Sequence, residues 1–279
     1  MTQGWQQDGD SIALVPTMGN LHSGHISLVR LAHEYAERVI VSVFVNPTQF
    51  GPNEDYSTYP RSLDNDRRRL SRAGVDVLFA PGNEEIYPFG EEVMTRVSVP
   101  DLSTMLCGDN RPGHFDGVTS VVSRLFNIIQ PDVAVFGQKD YQQLVIIRRM
   151  AQDLHLPIKI LAGQTQRQDD GLALSSRNRY LTEADRAVAP QLHAALRRCR
   201  DQISSGNRDY ASLEADGREQ LAACGFGVDY FSIRKAGDLS PPEADSRHLV
   251  IMAAARLGSA RLIDNILLEA QEQLRNTGT

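Results

Sequence analysis

Cysteine is scarce in this chain. Cys107, Cys199 and Cys224 are its only three among 279 residues, odd in number and far apart. They make no disulfide framework and fit free thiols in a reducing cytosol. No apolar run approaches the ~20 residues that a membrane span needs, and the polar stretch Met1–Asp10 carries no signal-peptide pattern. The expectation is a cytoplasmic protein with no membrane partner. Basic charge is not in excess either: 29 Lys and Arg stand against 35 Asp and Glu, for a net charge of −6. That balance argues against a nucleic-acid partner and requires any phosphate site to be a local basic patch. The Walker pattern G-x-x-x-x-G-K-[ST] is absent, so this is not a P-loop protein. Internal repeats and low-complexity segments are missing too.

What is present is organised around Pro16–His25, P-T-M-G-N-L-H-S-G-H, directly after the apolar run Ile12–Val15. A short apolar run ending in Pro and Gly is a buried strand that stops at a turn. Ile26, Leu28, Val29, Leu31 and Ala32 then fall at helical spacing, which predicts a helix from near Ser23-Gly24. His22 and His25, three apart, share one face of its first turn. Unpaired backbone N–H groups and the positive end of the helix dipole converge there, an anion site that usually holds phosphate. Gly24, having no Cβ, lets the backbone approach a ligand closely. Singly, each histidine reads as a cap or a surface residue. The pair could also be two metal ligands, but zinc wants three or four protein ligands and no Cys or Asp stands at a suitable spacing nearby. H-x-G-H after a strand resembles the nucleotidyltransferases that activate substrates by adenylation or cytidylylation.

Further along, apolar strands are predicted at Arg38–Val45, Val75–Ala80, Asp132–Phe136 and Pro157–Ala162, with helices at Arg61–Ala73, Gly117–Ile129 and Tyr141–Asp153. Val93–Val99 alternates like an edge strand. Strands that alternate with helices indicate a doubly wound α/β sheet with parallel strands. Ligands of such sheets sit outside the C-terminal strand ends, so PTMGNLHSGH, NPTQF and GQKD are expected to line one crevice. Beyond Tyr180 the pattern changes. One long helix is expected over Thr182–Ser205, opened by a Thr182/Asp185 capping box and ended by Gly206. A helix over 209–224 follows, then strands at Val228–Arg234 and His248–Ala255, and a turn at Gly258-Ser259 into Ala260–Ile263. The division expected is a domain over 1–178 and a smaller α+β C-terminal domain over 179–279.

Five motifs in this order, PTMGNLHSGH (16–25), FVNPTQF (44–50), RPGHF (111–115), FGQKDYQQ (136–143) and DGLALSSRN (170–178), closely resemble those of the pantothenate synthetase family. The resemblance runs from about Ile12 to Ile266. It implies ATP-driven condensation of (R)-pantoate with β-alanine through a pantoyl adenylate, releasing AMP and pyrophosphate. It also implies a Rossmann-like N-terminal domain, Mg2+ dependence and a homodimer. By the same resemblance, His22, His25, Lys139 and Arg177 are catalytic. Met18, Gly19, Asn20, Leu21, His22, Ser23, Gly24, His25, Gly137, Gln138, Lys139, Asp140, Gln166, Leu174, Ser175, Ser176 and Arg177 bind ATP, with Asp140 accepting from the ribose hydroxyls. Gln49 and Gln143 bind the organic substrates, pantoate above all. The S-S-R-N run also reads as a helix cap.

Three departures from the family pattern stand out. Only a polar stub precedes Ile12, where members usually carry another strand and helix, so either the start is truncated or the sheet edge differs. Gln164 and Gln166 replace a Pro and an apolar residue beside the adenine. Asp64-Asn65-Asp66 falls where some relatives place acidic groups near the metal, and reads equally as a charge cluster at a helix N-terminus. Two rivals fit less of the sequence. A cytidylyltransferase gives no reason for the paired glutamines, and a non-catalytic nucleotide sensor would have lost His25, Lys139 or Arg177, all present.

Overall fold

The computed structural model describes residues 2–52 and 54–269; Met1, Asn53 and residues 270–279, the end of the domain expected over 179–279, lie outside the described residues. The chain divides into two compact units, Met1–Asp169 with Ala173–Arg179, and Asp170–Leu172 with Tyr180–Thr279.

In the first unit the elements follow as α1 (Thr2–Asp8), β1 (Ile12–Thr17), α2 (Ser23–His33), β2 (Arg38–Val43), α3 (Leu63–Arg72) and β3 (Val77–Phe79). Next come α4 (Asn83–Ile86), α5 (Cys107–Asn110), α6 (His114–Ile129), β4 (Val133–Gly137), α7 (Tyr141–Asp153) and β5 (Lys159–Gly163). The five strands pair in parallel in the order β3-β2-β1-β4-β5. This is the expected doubly wound sheet. Its strands are continuous apolar runs because helices cover both faces. Ala13, Val15, Val39, Val41, Val133 and Val135 point to one face and pack with Leu28, Val29 and Ala32 of α2 and Leu70 of α3. Residues of the other parity face the opposite way; there Phe136 meets Phe126 of α6 edge-on at 6.4 Å. The order reverses between β1 and β4, and ligands of such sheets bind beyond the strand ends at that point.

Two local expectations are corrected and one stretch is filled in. The polar stub before Ile12 holds the short helix α1, whose Trp5 lies under the Arg38 guanidinium, 5.2 Å away. Val93–Val99 forms no strand. Its backbone groups are taken by side chains of α6 instead: Val97 N–H donates to Ser120 Oγ at 3.0 Å, and Arg124 donates to the Thr95 carbonyl at 2.8 Å. The long helix expected over Thr182–Ser205 is two helices, α8 (Glu183–Val188) and α9 (Gln191–Ser204). Pro190 stands at the break, because a proline has no N–H for an interior helix bond. The capping box that opens α8 is present, with Asp185 N–H donating to Thr182 Oγ1 at 3.1 Å.

The second unit continues with α10 (Tyr210–Ala223) and the strands β6 (Gly227–Lys235), β7 (His248–Leu257) and β8 (Ala260–Glu269), which form an antiparallel sheet in that order. β8 runs further than the stretch read from sequence. Leu192, Leu196, Leu213 and Leu221 of the helices share a core with Phe231, Ile233 and Ile251 of the strands. All three cysteines are free, and burial pushes the Cys199 thiol up to about 12. Among the described residues no helix is long and apolar enough to cross a membrane.

Candidate active site

A cleft of about 220 Å³ opens beyond the C-terminal ends of β1 and β4, lined by Thr17 and Met18 on one side and Gly137 on the other. Size does not single it out, since a hollow behind Gln49 measures about 260 Å³. Its chemistry does.

The turn that leaves β1 is set by α3. Asp66 is only 1 % exposed, and its two carboxylate oxygens accept from Asn20 N–H and Leu21 N–H, each at 2.8 Å. Asn20 holds a positive φ of 51°, which its short polar side chain tolerates. With a backbone N–H on each oxygen, Asp66 is a strut for the turn. Nothing local in the sequence links it to residues some 45 positions away.

α2 then begins with the two histidines, which cap each other's backbone. His22 Nδ1 accepts from Gly24 N–H at 3.2 Å, and His25 Nδ1 accepts from His22 N–H at 3.2 Å. The rings lie 4.1 Å apart. A Cβ on Gly24 would stand 3.0 Å from the His22 ring, so this glycine makes room for the folded-back imidazole. An Nδ1 that accepts carries no proton, so each neutral ring holds its hydrogen on Nε2 and can donate it. Burial lowers the His25 pKa to about 3, helped by His22 and Lys139; burial and then Lys139 lower that of His22 to about 4. Both imidazoles are neutral donors at pH 7.

The cations come from two other elements. Lys139 sits on the 3-10 turn Gln138–Asp140 after β4, 3.9 Å from the Asp140 carboxylate. Arg177 lies on the 3-10 helix Ser176–Tyr180, 3.1 Å from Asp55, with its guanidinium over the Tyr59 ring at 5.9 Å. Ser175 Oγ accepts from Arg177 N–H at 3.2 Å, so the S-S-R-N run caps its own turn while lining the cleft.

Gln49 ends the 3-10 turn Pro47–Gln49 and is 9 % exposed. Asn46 Nδ2 donates to its Oε1 at 3.1 Å, and its own Nε2 points at the Met18 sulfur 3.1 Å away. The acceptor is committed, while the amide hydrogens meet only a weak thioether acceptor. Asn46 is in turn held by Tyr87 Oη, which donates to its Oδ1 at 2.6 Å. The two adjacent glutamines of FGQKDYQQ part ways. Gln142 is 3 % exposed and donates to the carbonyls of Leu102 and Met105, whereas Gln143 lines the cleft.

Thus Met18, His22, Gly24, His25, Gln49, Gly137, Lys139, Asp140, Gln143, Gln166, Leu174, Ser175, Ser176 and Arg177 surround one cleft. Gly19, Asn20, Leu21, Ser23 and Gln138 are not in its lining; Leu21 is buried in the core behind it. Sequence reasoning passed over Asn46, Tyr59 and an apolar wall of Val118, Val121, Val122 and Leu125. Asn46 lies within FVNPTQF, but the wall has only the helical spacing of an ordinary core. RPGHF carried no assigned role; in the structure Arg111 pairs with Glu54 through two contacts of 2.5 and 2.6 Å. Burial works to raise the Glu54 carboxyl, but the Arg111 guanidinium overrides it and holds it at about 2. Among the described residues no three His, Cys, Asp or Glu side chains gather as a metal site.

Residues 1–267 match the family model described as pantoate-beta-alanine ligase. The chain is 56% identical over 266 residues to a pantothenate synthetase of Pseudomonas putida strain W619, covering 95% of this chain and 93% of that one. It is 54% identical to a pantothenate synthetase of Alcanivorax borkumensis with the same coverage. Among solved structures, a pantothenate synthetase from Thermus thermophilus superposes with a TM-score of 0.87 at 47% identity, covering 92% of each chain. A pantoate-beta-alanine ligase from Francisella tularensis, complexed with beta-gamma ATP and beta-alanine, superposes with a TM-score of 0.77 at 38% identity, covering 93% of this chain and 90% of that one.

Proposed function

We propose, on the premise that this chain belongs to the pantoate–β-alanine ligase family, that it joins pantoate to β-alanine at the expense of ATP in two half reactions within this one cleft. The observation that carries the reading is convergence. Two neutral Nε2–H donors and a lysine face the same space as two amide side chains and an apolar wall.

A carboxylate acylates poorly until it gains a good leaving group. In the first half reaction the pantoate carboxylate attacks the α-phosphorus of ATP, giving pantoyl adenylate and pyrophosphate. The protein's part is positioning and charge neutralisation. His22 and His25 donate to triphosphate oxygens at the positive end of α2, and Lys139 supplies a compact charge to the departing oxyanion. Arg177 and the hydroxyls of Ser175 and Ser176 hold the outer phosphates. His25 acts as a hydrogen-bond donor rather than a proton-releasing acid, since its ring is neutral at pH 7. Gln49 and Gln143 orient pantoate; a neutral amide directs the carboxylate without drawing off the charge needed for attack. The Val118, Val121, Val122 and Leu125 wall suits the branched hydrocarbon of that acid. In the second half reaction the β-alanine amine attacks the acyl carbon and AMP leaves.

Mg2+ belongs to the same proposal as part of the substrate. It commonly binds through substrate phosphates with few protein carboxylates, which agrees with the lack of a protein cage among the described residues. A homodimer in the cytoplasm completes the reading, supported by the family resemblance and by three free thiols. The test is exchange of labelled pyrophosphate into ATP without β-alanine. Exchange should require pantoate; exchange that ignores pantoate or demands β-alanine overturns the two-step scheme.

A further inference from the structure

Behind Gln49 stands a second set of polar side chains that does not line the cleft. The Gln49 carbonyl accepts from two donors, His114 Nδ1 at 2.8 Å and Arg111 Nη2 at 3.3 Å. Arg111 Nη1 lies 2.9 Å from His114 Nε2. Arginine can only donate, so His114 Nε2 is the acceptor there and its proton sits on Nδ1, aimed at the Gln49 carbonyl. The other edge of the guanidinium is gripped by Glu54 through both carboxylate oxygens, at 2.5 and 2.6 Å. Glu54 also receives Gly51 N–H at 3.2 Å. Behind the turn, α6 comes so close that a Cβ on Gly117 would stand 2.4 Å from the Thr48 carbonyl oxygen. Segments far apart in sequence therefore meet on one carbonyl, and it belongs to the residue whose amide enters the cleft.

We propose that Arg111, Glu54 and His114 are positioning residues that fix the Gln49 amide through its backbone carbonyl and so govern how the organic acid, rather than the nucleotide, is held. The proposal rests on the reading that Gln49 binds pantoate. Two donors on one carbonyl fix the orientation of that peptide plane, and with it the direction in which the side chain leaves. The Glu54 fork fixes Arg111 by shape as well as charge, which a lysine cannot reproduce. Arg177 and the histidine pair are absent from this set, so loosening it should leave nucleotide binding nearly intact.

The experiment uses the full chain, with steady-state kinetics for pantoate and calorimetry for ATP. Arg111→Lys should raise the KM for pantoate about tenfold to a hundredfold, the cost of an ångström-scale misplacement, with the Kd of ATP unchanged. His114 gives a sharper pair. Asparagine carries an amide where Nδ1 stands, and glutamine carries one where Nε2 stands. His114→Asn should therefore keep a KM near that of the parent, while His114→Gln raises it. Unchanged pantoate KM in both Arg111→Lys and His114→Gln overturns the proposal. So does parallel weakening of ATP and pantoate with His114→Asn as damaged as His114→Gln, which marks a merely structural cluster. Gln49→Ala separates the two layers: if it leaves the pantoate KM unchanged, the assignment of Gln49 fails. If it raises that KM and the supporting variants do not, only the positioning role fails.

Discussion

Acid should unfold the first unit through its histidines, and the size of the effect can be worked out. His25 and His114 are held to about 3 and about 4 against an ordinary 6.5, chiefly by burial. Unfolded, each takes a proton as the pH falls through 6.5; folded, neither does until far lower. The unfolded state thus carries more protons across that window, and stability falls with falling pH from 6.5 towards 4. At pH 5, about 1.5 pH units below the unfolded value, each group costs about 2 kcal/mol at 1.36 kcal/mol per unit. Together they remove about 4 kcal/mol of a total that is typically about 5–15. His22 works in the same direction, with a share reduced by solvent screening. Glu54, held at about 2, adds no slope until the pH drops below its ordinary 4.5. Trp5, the single tryptophan, lies in α1 of this unit and reports its unfolding by fluorescence. Urea titrations at pH 7 and pH 5 should differ by about 4 kcal/mol, and His114→Asn should remove about half of the difference. A difference below about 1 kcal/mol would refute the placement of these imidazoles as neutral, buried groups.

Other outcomes follow from single contacts. His25→Ala should slow pyrophosphate exchange about 10²–10³-fold, the worth of a preorganised donor, with little change in the Kd of ATP; His25→Gln should recover part of that if its amide reaches the same oxygen. Loss of the reciprocal cap costs a further 0.5–2 kcal/mol or so of stability, readable as a lower melting temperature. Asp66→Asn turns an acceptor into a donor facing a backbone N–H, and should cost about 1–3 kcal/mol while weakening ATP more than pantoate. Gly117→Ala forces α6 off the Thr48–Gln49 backbone, and should cost about 1–3 kcal/mol with pantoate KM raised ahead of ATP Kd.

The sheet was legible because its strands are short apolar runs bounded by turn residues, as at Gly137 and Gly163. The resemblance motifs carried the site residues into view, and most of them do surround one cleft. What stayed hidden depended on partners distant in sequence. Val93–Val99 has a strand's alternation, yet Ser120 and Arg124 take the groups that a neighbouring strand would need. Asp66 looked like one charge in a helical cluster, since its partners are the backbone of Asn20 and Leu21. Gln142 and Gln143 are identical as letters, and only the direction each takes from α7 separates a structural amide from a cleft amide. Pro190 is plain in the sequence, but the amphipathic pattern runs straight through it, and only the missing N–H marks the break.

The manner in which Gln49 is anchored bears on redesign. Two of its external supports grip the carbonyl of the main chain, a group that every amino acid carries. A library at position 49 therefore samples new side chains on a main-chain anchor that does not run through the old one and gives up one side-chain contact, that from Asn46, whereas the same exercise at Asn46 would strip contacts from Tyr87, Gly117 and Gln49 together. Screening position 49 alongside Val118 and Val122, which line the same cleft, puts the acid specificity proposed for that cleft to a direct test with other branched hydroxy acids.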